Sequence, residues 1–480
     1  MNYLDLELCE VAKLVKERKV TSEQLTQECL EQIKKTSDLN ALNCVYEDMA
    51  KKRAKEIDKR VANGEDVGPL AGVPVVIKDN INMTGTKTTC SSKFLENYVS
   101  PYNATVVEKL LSAGAVVIAK ANMDEFAMGS SNENSAFGCV KNPVDKSRVP
   151  GGSSGGSAAT VAAHQCFAAL GTDTGGSIRE PASFCGVVGL KPTYGRVSRY
   201  GVVAFASSLD QVGPLTRSVK DSAIMLSVLA GEDKNDMTAS KKPVDDYLKN
   251  IDKGVKGLKL GVPRQFFTEK LDIEVHDALN ASIEKFQKMG AEIVDVDLPS
   301  VDVALSVYYI LSSAEAASNL ARFDGIRYGV RARNYDDVID LYYKSRSQGF
   351  GKEVKRRIML GNYVLSSGYF DAFYNKAKRV QKVIQKEFLD AFKQCDVLLA
   401  PTTGNVAFKL GEKSDPLSMY LTDIFTVPVN IAGIPAISIP CGQNSEGMPI
   451  GLQIMAKHFD EAKIFQVANS LEKQIKGERR

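Results

Sequence analysis

RVPGGSSGGSAATVAAHQCFAALGTDTGGSIRE, residues 148–180, is the stretch that decides the fold. Two clusters of small residues, Gly151 to Ser157 and Asp173 to Ser177, flank an apolar run. Glycine lets a ligand approach the main chain closely, so serines set among glycines present exposed hydroxyls beside free N–H groups. A nucleophile next to an oxyanion hole has this composition, but other sites share it. The rest of the chain has to decide between them.

Composition places the chain among ordinary globular proteins. Of its 480 residues, 44% are hydrophobic and 25% are charged. The net charge of +3 is too weak for a protein that holds nucleic acid by its own electrostatics. Any nucleic acid partner would need a companion protein or a local basic patch.

The cysteines and the first residues indicate the compartment. Nine cysteines are scattered along the chain with no CxxC pair, which favours reduced thiols over a disulfide framework or a zinc ribbon. The opening residues, MNYLDLELCEVAKLV, lack the basic-then-apolar pattern of a secretory signal. No apolar run reaches the roughly 18 to 20 residues that a membrane span needs. We expect a cytoplasmic protein that binds no metal.

Helical and strand-like patterns alternate along the chain. Helices are predicted through about residue 62, a buried strand over 72–77 that ends at Lys78, and a buried helix from Ser157 to Cys166. The polar stretch 121–150 lacks regular elements and is expected to be functional. The prediction is an α/β protein with one large domain, 1–480. A helical segment, 1–62, precedes a catalytic core, 63–480, and helices flank both faces of a mixed central sheet.

Two alternatives for the Gly/Ser region fit less well. A phosphate-binding loop needs a lysine after its glycines; none follows either cluster, and Asp173 would repel phosphate. Gly151 to Gly155 does match the Gly-x-Ser-x-Gly elbow of α/β-hydrolases. However, the lead-in, 142–150, contains two prolines and several charges, which suit a buried strand poorly. Only three histidines are available for a triad.

A serine nucleophile activated by lysine is the third possibility. A lysine acts as a base when its pKa falls from about 10.4 toward neutrality, and burial lowers it because low dielectric disfavours the ammonium. Lys78 follows an apolar β-run and would reach a sheet edge inside the fold. Spacing alone still favours an ordinary solvated lysine at a strand end.

Several long segments together resemble the amidase signature family. They are GVPVVIKDN (72–80), PGGSSGGSAA (150–159) and LGTDTGGSIREPASFCGVVGLKPTYGRVS (170–198). The resemblance implies a Ser–cis-Ser–Lys triad. Ser177 matches the nucleophile, Ser153 the bridging serine that follows a cis peptide bond, and Lys78 the general base. Ser154 is expected to support them by hydrogen bonding.

The same resemblance implies the groups that bind the substrate. The backbone N–H groups of Thr174, Gly175, Gly176 and Ser177 would form the oxyanion hole. Arg357 is the candidate for a substrate carboxylate and Asp423 for an ammonium, with Tyr308 as a weaker candidate. Arginine suits bidentate capture of a carboxylate.

Segments outside the triad resemble the tRNA-dependent amidotransferase branch of the family; KANMDEFAMGSSNENSAFG (120–138) and FGKEVKRRIMLGNYVLSSGY (350–369) are two of them. This implies that the chain releases ammonia from glutamine. It would work in a heterotrimer with the B and C subunits of such an enzyme, where the B subunit holds Glu-tRNA(Gln) or Asp-tRNA(Asn) and uses ATP and Mg. The chain itself would carry no cofactor. A stand-alone amidase acting on another small amide, or a scaffold with an inactive site, would be the alternatives.

Overall fold

One continuous sheet runs through the computed structural model, which describes residues 2–268 and 271–478. Its strands are β1 (Leu42–Val45), β2 (Pro74–Lys78), β3 (Val116–Ala121), β4 (Ala168–Asp173), β5 (Val188–Lys191), β6 (Gln211–Thr216), β7 (Lys259–Pro263), β8 (Glu292–Val296), β9 (Val397–Pro401), β10 (Ala436–Gln443) and β11 (Pro449–Met455). Their order in the sheet is β1-β3-β2-β4-β6-β5-β10-β11-β9-β7-β8. Parallel and antiparallel pairs are mixed, as the sequence predicted.

Helices flank both faces of this sheet and complete a single α/β domain, which confirms the predicted fold class. They are α1 (Leu8–Lys16), α2 (Ser22–Lys35), α3 (Glu47–Ala62), α4 (Thr105–Ser112), α5 (Gly155–Ala162), α6 (Arg179–Cys185), α7 (Val219–Leu229), α8 (Ile273–Lys288), α9 (Ala304–Asn319), α10 (Val338–Gly349), α11 (Lys352–Leu365), α12 (Lys376–Ala391), α13 (Pro416–Tyr420), α14 (Val427–Ala432) and α15 (Glu461–Glu478). None of the helices in the described ranges is long and apolar enough to cross a membrane. All nine cysteines are free thiols.

The middle of the sheet is buried. Every residue of β2, β3, β4, β5, β6 and β9 is inaccessible or nearly so. Strands covered on both faces read as continuous apolar runs rather than as alternating patterns, which is why Val75 to Ile77 and Val116 to Ala119 stand out in the sequence. A polar side chain on such a strand is carried into the interior with it.

Strand pairing brings the two serine loops to one edge of the sheet. β2 lies parallel to β4, with Ile77 opposite Leu170, so the carboxyl ends of both strands meet there. Lys78 is the last residue of β2, and the loop 174–178 follows β4 directly. The Ser153 loop leads into α5, whose chain returns through β4 to the same edge.

The N-terminal segment, 1–62, is not wholly helical. β1 interrupts it and pairs antiparallel with β3, with Leu42 opposite Ala121. Asn40 adopts a left-handed conformation, φ 53°, which separates the strand from the preceding helical turn. A four-residue strand carries little periodicity of its own, and its partner lies about 75 positions away, so sequence pattern alone predicted the wrong element here.

The helix predicted over Ser157 to Cys166 is displaced. α5 begins at Gly155 and ends at Ala162, and His164 takes a positive φ of 56° that ends the helical path. β4 and α6, on either side of Ser177, were not predicted. Their residues are so uniformly buried that neither a period of 2 nor one of 3.6 shows in the sequence.

Two glycines test how tightly the layer around β3 is packed. Gly64 and Gly114 both have positive φ, 76° and 90°, but a Cβ at Gly64 would meet nothing within 4 Å, whereas one at Gly114 would overlap the Val67 carbonyl oxygen. We expect Gly64→Ala to lower the free energy of unfolding by about 1–2 kcal/mol, the cost of the left-handed conformation. Gly114→Ala should cost more than about 3 kcal/mol in urea denaturation, because the backbone has to shift. If both variants lost the same free energy of unfolding, the overlap between the added Cβ and the Val67 carbonyl oxygen would be relieved without cost.

Candidate active site

Lys78 is completely buried at the end of β2 and faces three hydroxyl groups. Its Nζ lies 2.7 Å from Ser153 Oγ, 2.8 Å from Ser154 Oγ and 2.9 Å from Thr172 Oγ1. The two serines stand immediately before α5, and Thr172 belongs to β4. A buried strand, a helix start and a neighbouring strand therefore fix the lysine from three directions. The lysine is not solvated, so the ordinary strand-end alternative is wrong.

Burial lowers the pKa of Lys78 to about 7, although Asp124, Asp173 and Asp210 act in the opposite direction. A neutral amine has two N–H donors and one lone pair. Ser154 Oγ donates to the Thr172 carbonyl oxygen, 3.1 Å, and Thr172 Oγ1 accepts from Asn80 Nδ2, 3.1 Å. With both of these oxygens accepting an N–H of Lys78, the lone pair is left facing Ser153. The lysine can therefore take a proton from the Ser153 hydroxyl.

The Ser153 loop has the backbone that the family resemblance implied. The Gly152–Ser153 peptide bond is cis. The loop packs against Asp124, whose carboxylate accepts the N–H groups of Asn132, 2.9 Å, and Asn134, 3.1 Å. Burial raises the pKa of Asp124 to about 7. The irregular stretch 121–150 thus serves as the wall behind the serines.

Ser177 ends the second loop and is the most accessible of the three serines, with 8% of its surface exposed. Its Oγ forms no hydrogen bond within residues 2–268 and 271–478. Its carbonyl oxygen accepts the N–H of Ser154, 3.1 Å, which ties the two serine loops together. The hydroxyl of Ser177 is partly exposed and unengaged, on a loop tied to the Ser153–Ser154 loop, so it is free to meet a ligand.

The predicted oxyanion hole needs one correction. The N–H of Gly176 donates to Asp173 Oδ1, 2.9 Å, so it is already engaged. The N–H groups of Thr174, Gly175 and Ser177 have no partner in the described part of the chain. Asp210 accepts the hydroxyl of Thr174, 2.7 Å, and so holds this end of the loop. Three amides, rather than four, remain available for an oxyanion.

Asp173 and Arg179 hold the same loop from beneath as a buried ion pair, 2.9 Å apart. Burial would raise the pKa of Asp173, but the Arg179 guanidinium outweighs it and lowers that pKa to about 2. Asn430 Nδ2 adds a further hydrogen bond to Asp173, 2.8 Å. These contacts hold the loop through Asp173, and its carboxylate stays ionised at all ordinary pH values.

Arg357 is buried on α11 with one nitrogen unsatisfied. Its Nε donates to Glu353 Oε1, 2.7 Å, and its guanidinium lies over the rings of Tyr309, 4.4 Å, and Tyr420, 4.8 Å. Its Nη1 has no hydrogen-bond partner among the described residues. A buried donor left unpaired costs free energy, so a group that accepts from Nη1 would be bound strongly.

Asp423 and Tyr308 lie close to the loop 174–178, which carries the amides predicted to form the oxyanion hole. Asp423 accepts from Ser130 Oγ, 2.8 Å, and from the Tyr309 hydroxyl, 3.2 Å, and burial raises its pKa to about 7. Its carbonyl oxygen accepts from Thr426 Oγ1, which also donates to the Gly175 carbonyl oxygen, 2.6 Å. The Tyr308 ring packs on Gly175, where an added Cβ would come within 2.6 Å of it.

A cavity of about 260 Å³ opens beside these groups. Ser130, Ser131, Arg357, Lys413 and Tyr420 are among the residues that line it. A larger groove of about 910 Å³ runs between α1, α4 and α7 and contains none of the predicted site residues. The smaller cavity, with a buried cation and a buried carboxyl group nearby, suits a small molecule that carries both charges.

Several contributors escaped the sequence analysis. Each of them contacts a predicted site residue, or a residue that itself contacts one. They are Asn80, Asp124, Ser130, Thr172, Arg179, Tyr309, Glu353 and Tyr420. Thr172 had a usable signal, because it lies within LGTDTGGS at the end of a strand parallel to β2. Glu353 lies four residues before Arg357, a spacing that pairs side chains on a helix. For the rest, the contact appears only in the folded structure.

Comparison with known proteins gives a consistent result. The sequence profile of the Amidase family matches residues 24–465. The A subunit of glutamyl-tRNA(Gln) amidotransferase from Thermoanaerobacter pseudethanolicus is 57% identical over 478 residues, 99% of this chain and 98% of that protein. A second relative, the glutamyl-tRNA(Gln) amidotransferase A subunit 2 of Clostridium acetobutylicum, is 55% identical over 477 residues, 99% of this chain and 100% of that protein.

Solved structures agree in fold over nearly the whole chain. The crystal structure of the glutamyl-tRNA(Gln) amidotransferase A subunit from Thermotoga maritima matches with a TM-score of 0.82 at 43% identity, covering 98% of this chain and 95% of that one. Native peptide amidase from Stenotrophomonas maltophilia matches with a TM-score of 0.83 at 30% identity, covering 99% and 98%. Profile, relatives and structures together show that this chain belongs to the amidase family.

Proposed function

We propose that this chain is the glutamine-hydrolysing component of a tRNA-dependent amidotransferase. The observation that carries the proposal is the pairing of a buried lysine–serine relay with a buried, partly unsatisfied arginine close to a buried carboxyl group. The first arrangement suits amide hydrolysis, and the second suits a zwitterionic amino acid. The names of the relatives, identical at 55–57% of positions, support the same conclusion.

Binding of glutamine uses the two charged groups. The α-carboxylate accepts from Arg357, including the unpaired Nη1, and the α-ammonium donates to Asp423. The ring of Tyr308 packs on Gly175, in the loop 174–178. The side-chain amide carbon then lies at Ser177, with its oxygen toward the N–H groups of Thr174, Gly175 and Ser177.

Acylation then proceeds by proton relay. Ser177 Oγ attacks the amide carbon and passes its proton to Ser153, whose own proton goes to neutral Lys78. The negative charge that develops on the amide oxygen is stabilised by the three N–H groups; one such donor is typically worth about 2.7–4 kcal/mol of barrier. The proton returns through Ser153 to the leaving nitrogen, and ammonia departs.

Deacylation repeats the relay with water. Lys78 accepts a proton from water through Ser153, hydroxide attacks the acyl carbon, and Ser177 leaves with the proton. The products are glutamate and ammonia. Every proton in both half-reactions is carried by side chains of this chain.

The ammonia needs an activated acceptor. The B subunit would hold Glu-tRNA(Gln) or Asp-tRNA(Asn) and activate it with ATP and Mg, and the C subunit would join the two larger chains in a heterotrimer. The near-neutral charge of this chain supports a division of labour in which the partner holds the tRNA. The nine free thiols are in keeping with a cytoplasmic location.

Replacing the nucleophile tests the covalent route. We expect Ser177→Ala to reduce ammonia release from glutamine by at least about 1,000-fold in the assembled complex, because water alone would have to attack the amide. The exposed Ser445→Ala variant should keep full activity. Ammonia release that survives in Ser177→Ala would overturn the catalytic assignment.

The pH dependence tests Lys78 as the base. Because the neutral amine is the active form and its pKa is about 7, kcat/KM should fall about tenfold per unit below pH 7 and level off above it. Asp423 titrates in the same range, so the profile is measured with glutaramate, which lacks the ammonium that Asp423 would bind. A rate that does not change between about pH 5.5 and 8 would exclude this base.

Replacing Arg357 distinguishes a glutaminase from an amidase that does not recognise the α-carboxylate. Arg357→Ala should raise KM for glutamine by about 10- to 100-fold, because the α-carboxylate loses its charged partner. Hydrolysis of butyramide, which has no carboxylate, should change less than about threefold. Equal kinetics of variant and parent on glutamine would favour the alternative, a stand-alone amidase with another substrate.

A further inference from the structure

Asp124 and Glu125 are adjacent buried carboxyl groups, and the mechanism above uses neither of them. They follow β3 and precede a sharp reversal of the chain, in which Phe126 and Ala127 have left-handed φ angles of 50° and 62°. Residues other than glycine rarely adopt this conformation, and it persists where the surrounding contacts hold it. The two carboxylates contact different parts of the site.

Asp124 holds the bridging serine of the relay. Its N–H donates to the carbonyl oxygen of Ser153, 3.2 Å, and its carboxylate leaves no room for a Cβ on Gly152. The same carboxylate accepts two backbone N–H groups, one on each oxygen: that of Asn132 at 2.9 Å and that of Asn134 at 3.1 Å. Both oxygens are thereby engaged, so the loop that carries the two asparagines is fixed against the relay.

Glu125 holds the start of α11 instead. One carboxylate oxygen, Oε2, accepts the N–H of Gly351, 2.8 Å, which is the residue before α11. The other oxygen accepts the hydroxyl of Ser92. Arg357 lies on the same helix, within two turns of Gly351. A shift of the helix start would therefore move the guanidinium relative to the relay.

We propose that this pair of carboxylates sets the distance between the two halves of the site: Asp124 positions Ser153 of the relay, and Glu125 positions the helix that carries Arg357. The proposal rests on the function proposed above and adds two positioning residues to it. Because the two residues are consecutive, the main chain between them joins the relay to the helix that binds the α-carboxylate. Both act through other residues.

An amide has different consequences at the two positions. In Asp124→Asn, the NH2 group would face one of two backbone N–H groups, and the main chain keeps both of these in place. In Glu125→Gln, the amide oxygen still accepts the N–H of Gly351. The Ser92 hydroxyl then turns to the carbonyl oxygen of Gly349, which lies 3.2 Å away, and accepts from the amide. Glu125→Leu removes both acceptors and leaves the N–H of Gly351 unpaired.

The experiment compares two amides in the assembled complex. Glutamine needs both halves of the site, whereas butyramide has neither carboxylate nor ammonium and needs only the relay. Values of kcat and KM are measured for the parent, the three variants above and Asp245→Asn, which removes an exposed carboxylate. Burial lowers the pKa of Lys78 to about 7 and raises those of Asp124 and Glu125 to about 7. Assays at about pH 8.5 therefore keep the lysine neutral and both carboxyl groups ionised.

We expect Asp124→Asn to lower kcat at least about tenfold for both amides, because Ser153 is displaced from Lys78. We expect Glu125→Leu to raise KM for glutamine at least about fivefold and to change kcat/KM for butyramide less than about twofold. Glu125→Gln should restore KM for glutamine to within about twofold of the parent, and Asp245→Asn should match the parent.

A second variant tests the Asp124 contact if Asp124→Asn does not assemble. Gly129→Ala keeps the carboxylate but displaces it, since the added Cβ would overlap that group, and it too should lower kcat for both amides. Unchanged butyramide hydrolysis in either variant, or equal losses for both amides in Glu125→Leu, would overturn the proposal. A parent complex that releases no ammonia from glutamine would refute the proposed function instead, and the two failures are therefore distinguishable.

Discussion

Burial of Lys78 is the constraint on which the rest of the site depends. An amine in a dry interior is disfavoured as an ammonium, which keeps its pKa near 7 and makes it a base. That burial follows from the sheet. β2 is covered on both faces, and its parallel neighbour β4 brings Thr172 within 2.9 Å. If the layer around β2 loosened, water would reach the lysine and its pKa would return toward its usual value.

The second constraint concerns Asp173, Arg357 and Asp423, whose charges are either paired within the protein or left for a ligand. Asp173 is paired with Arg179, and the pair fixes the nucleophile loop without disturbing the relay. Arg357 is half paired, since Glu353 takes one nitrogen while Nη1 stays unsatisfied among the described residues. Asp423 accepts two neutral donors and forms no salt bridge in the described part of the chain. This pattern separates the structural charges from those that meet substrate.

The sequence predicted the catalytic residues better than the residues that contact them. Lys78 at the end of an apolar run was visible as a strand-end residue, and its identity as a base came only from the family resemblance. Ser130 and Tyr309 act through contacts between segments that lie far apart in the chain, and no local period marks them. The engagement of Gly176 by Asp173 likewise depends on loop geometry, because a Gly-Gly pair permits several backbone paths. The prediction of a wholly helical N-terminal segment was wrong for the same reason, since the pairing of β1 with β3 outweighs a weak local pattern.

The relay and the binding groups come from different parts of the fold. Lys78, Ser153 and Ser177 stand on β2 and at the starts of α5 and α6, where burial on all sides leaves little freedom. Tyr308 and Arg357 stand on α9 and α11, and Asp423 follows α13, all outside that central layer. A fold divided in this way can keep one amide-hydrolysing chemistry while substitutions on the outer helices alter which substrate is bound. The match to a peptide amidase, TM-score 0.83 at 30% identity, fits this division, because backbone agreement extends over the whole chain while most residues differ.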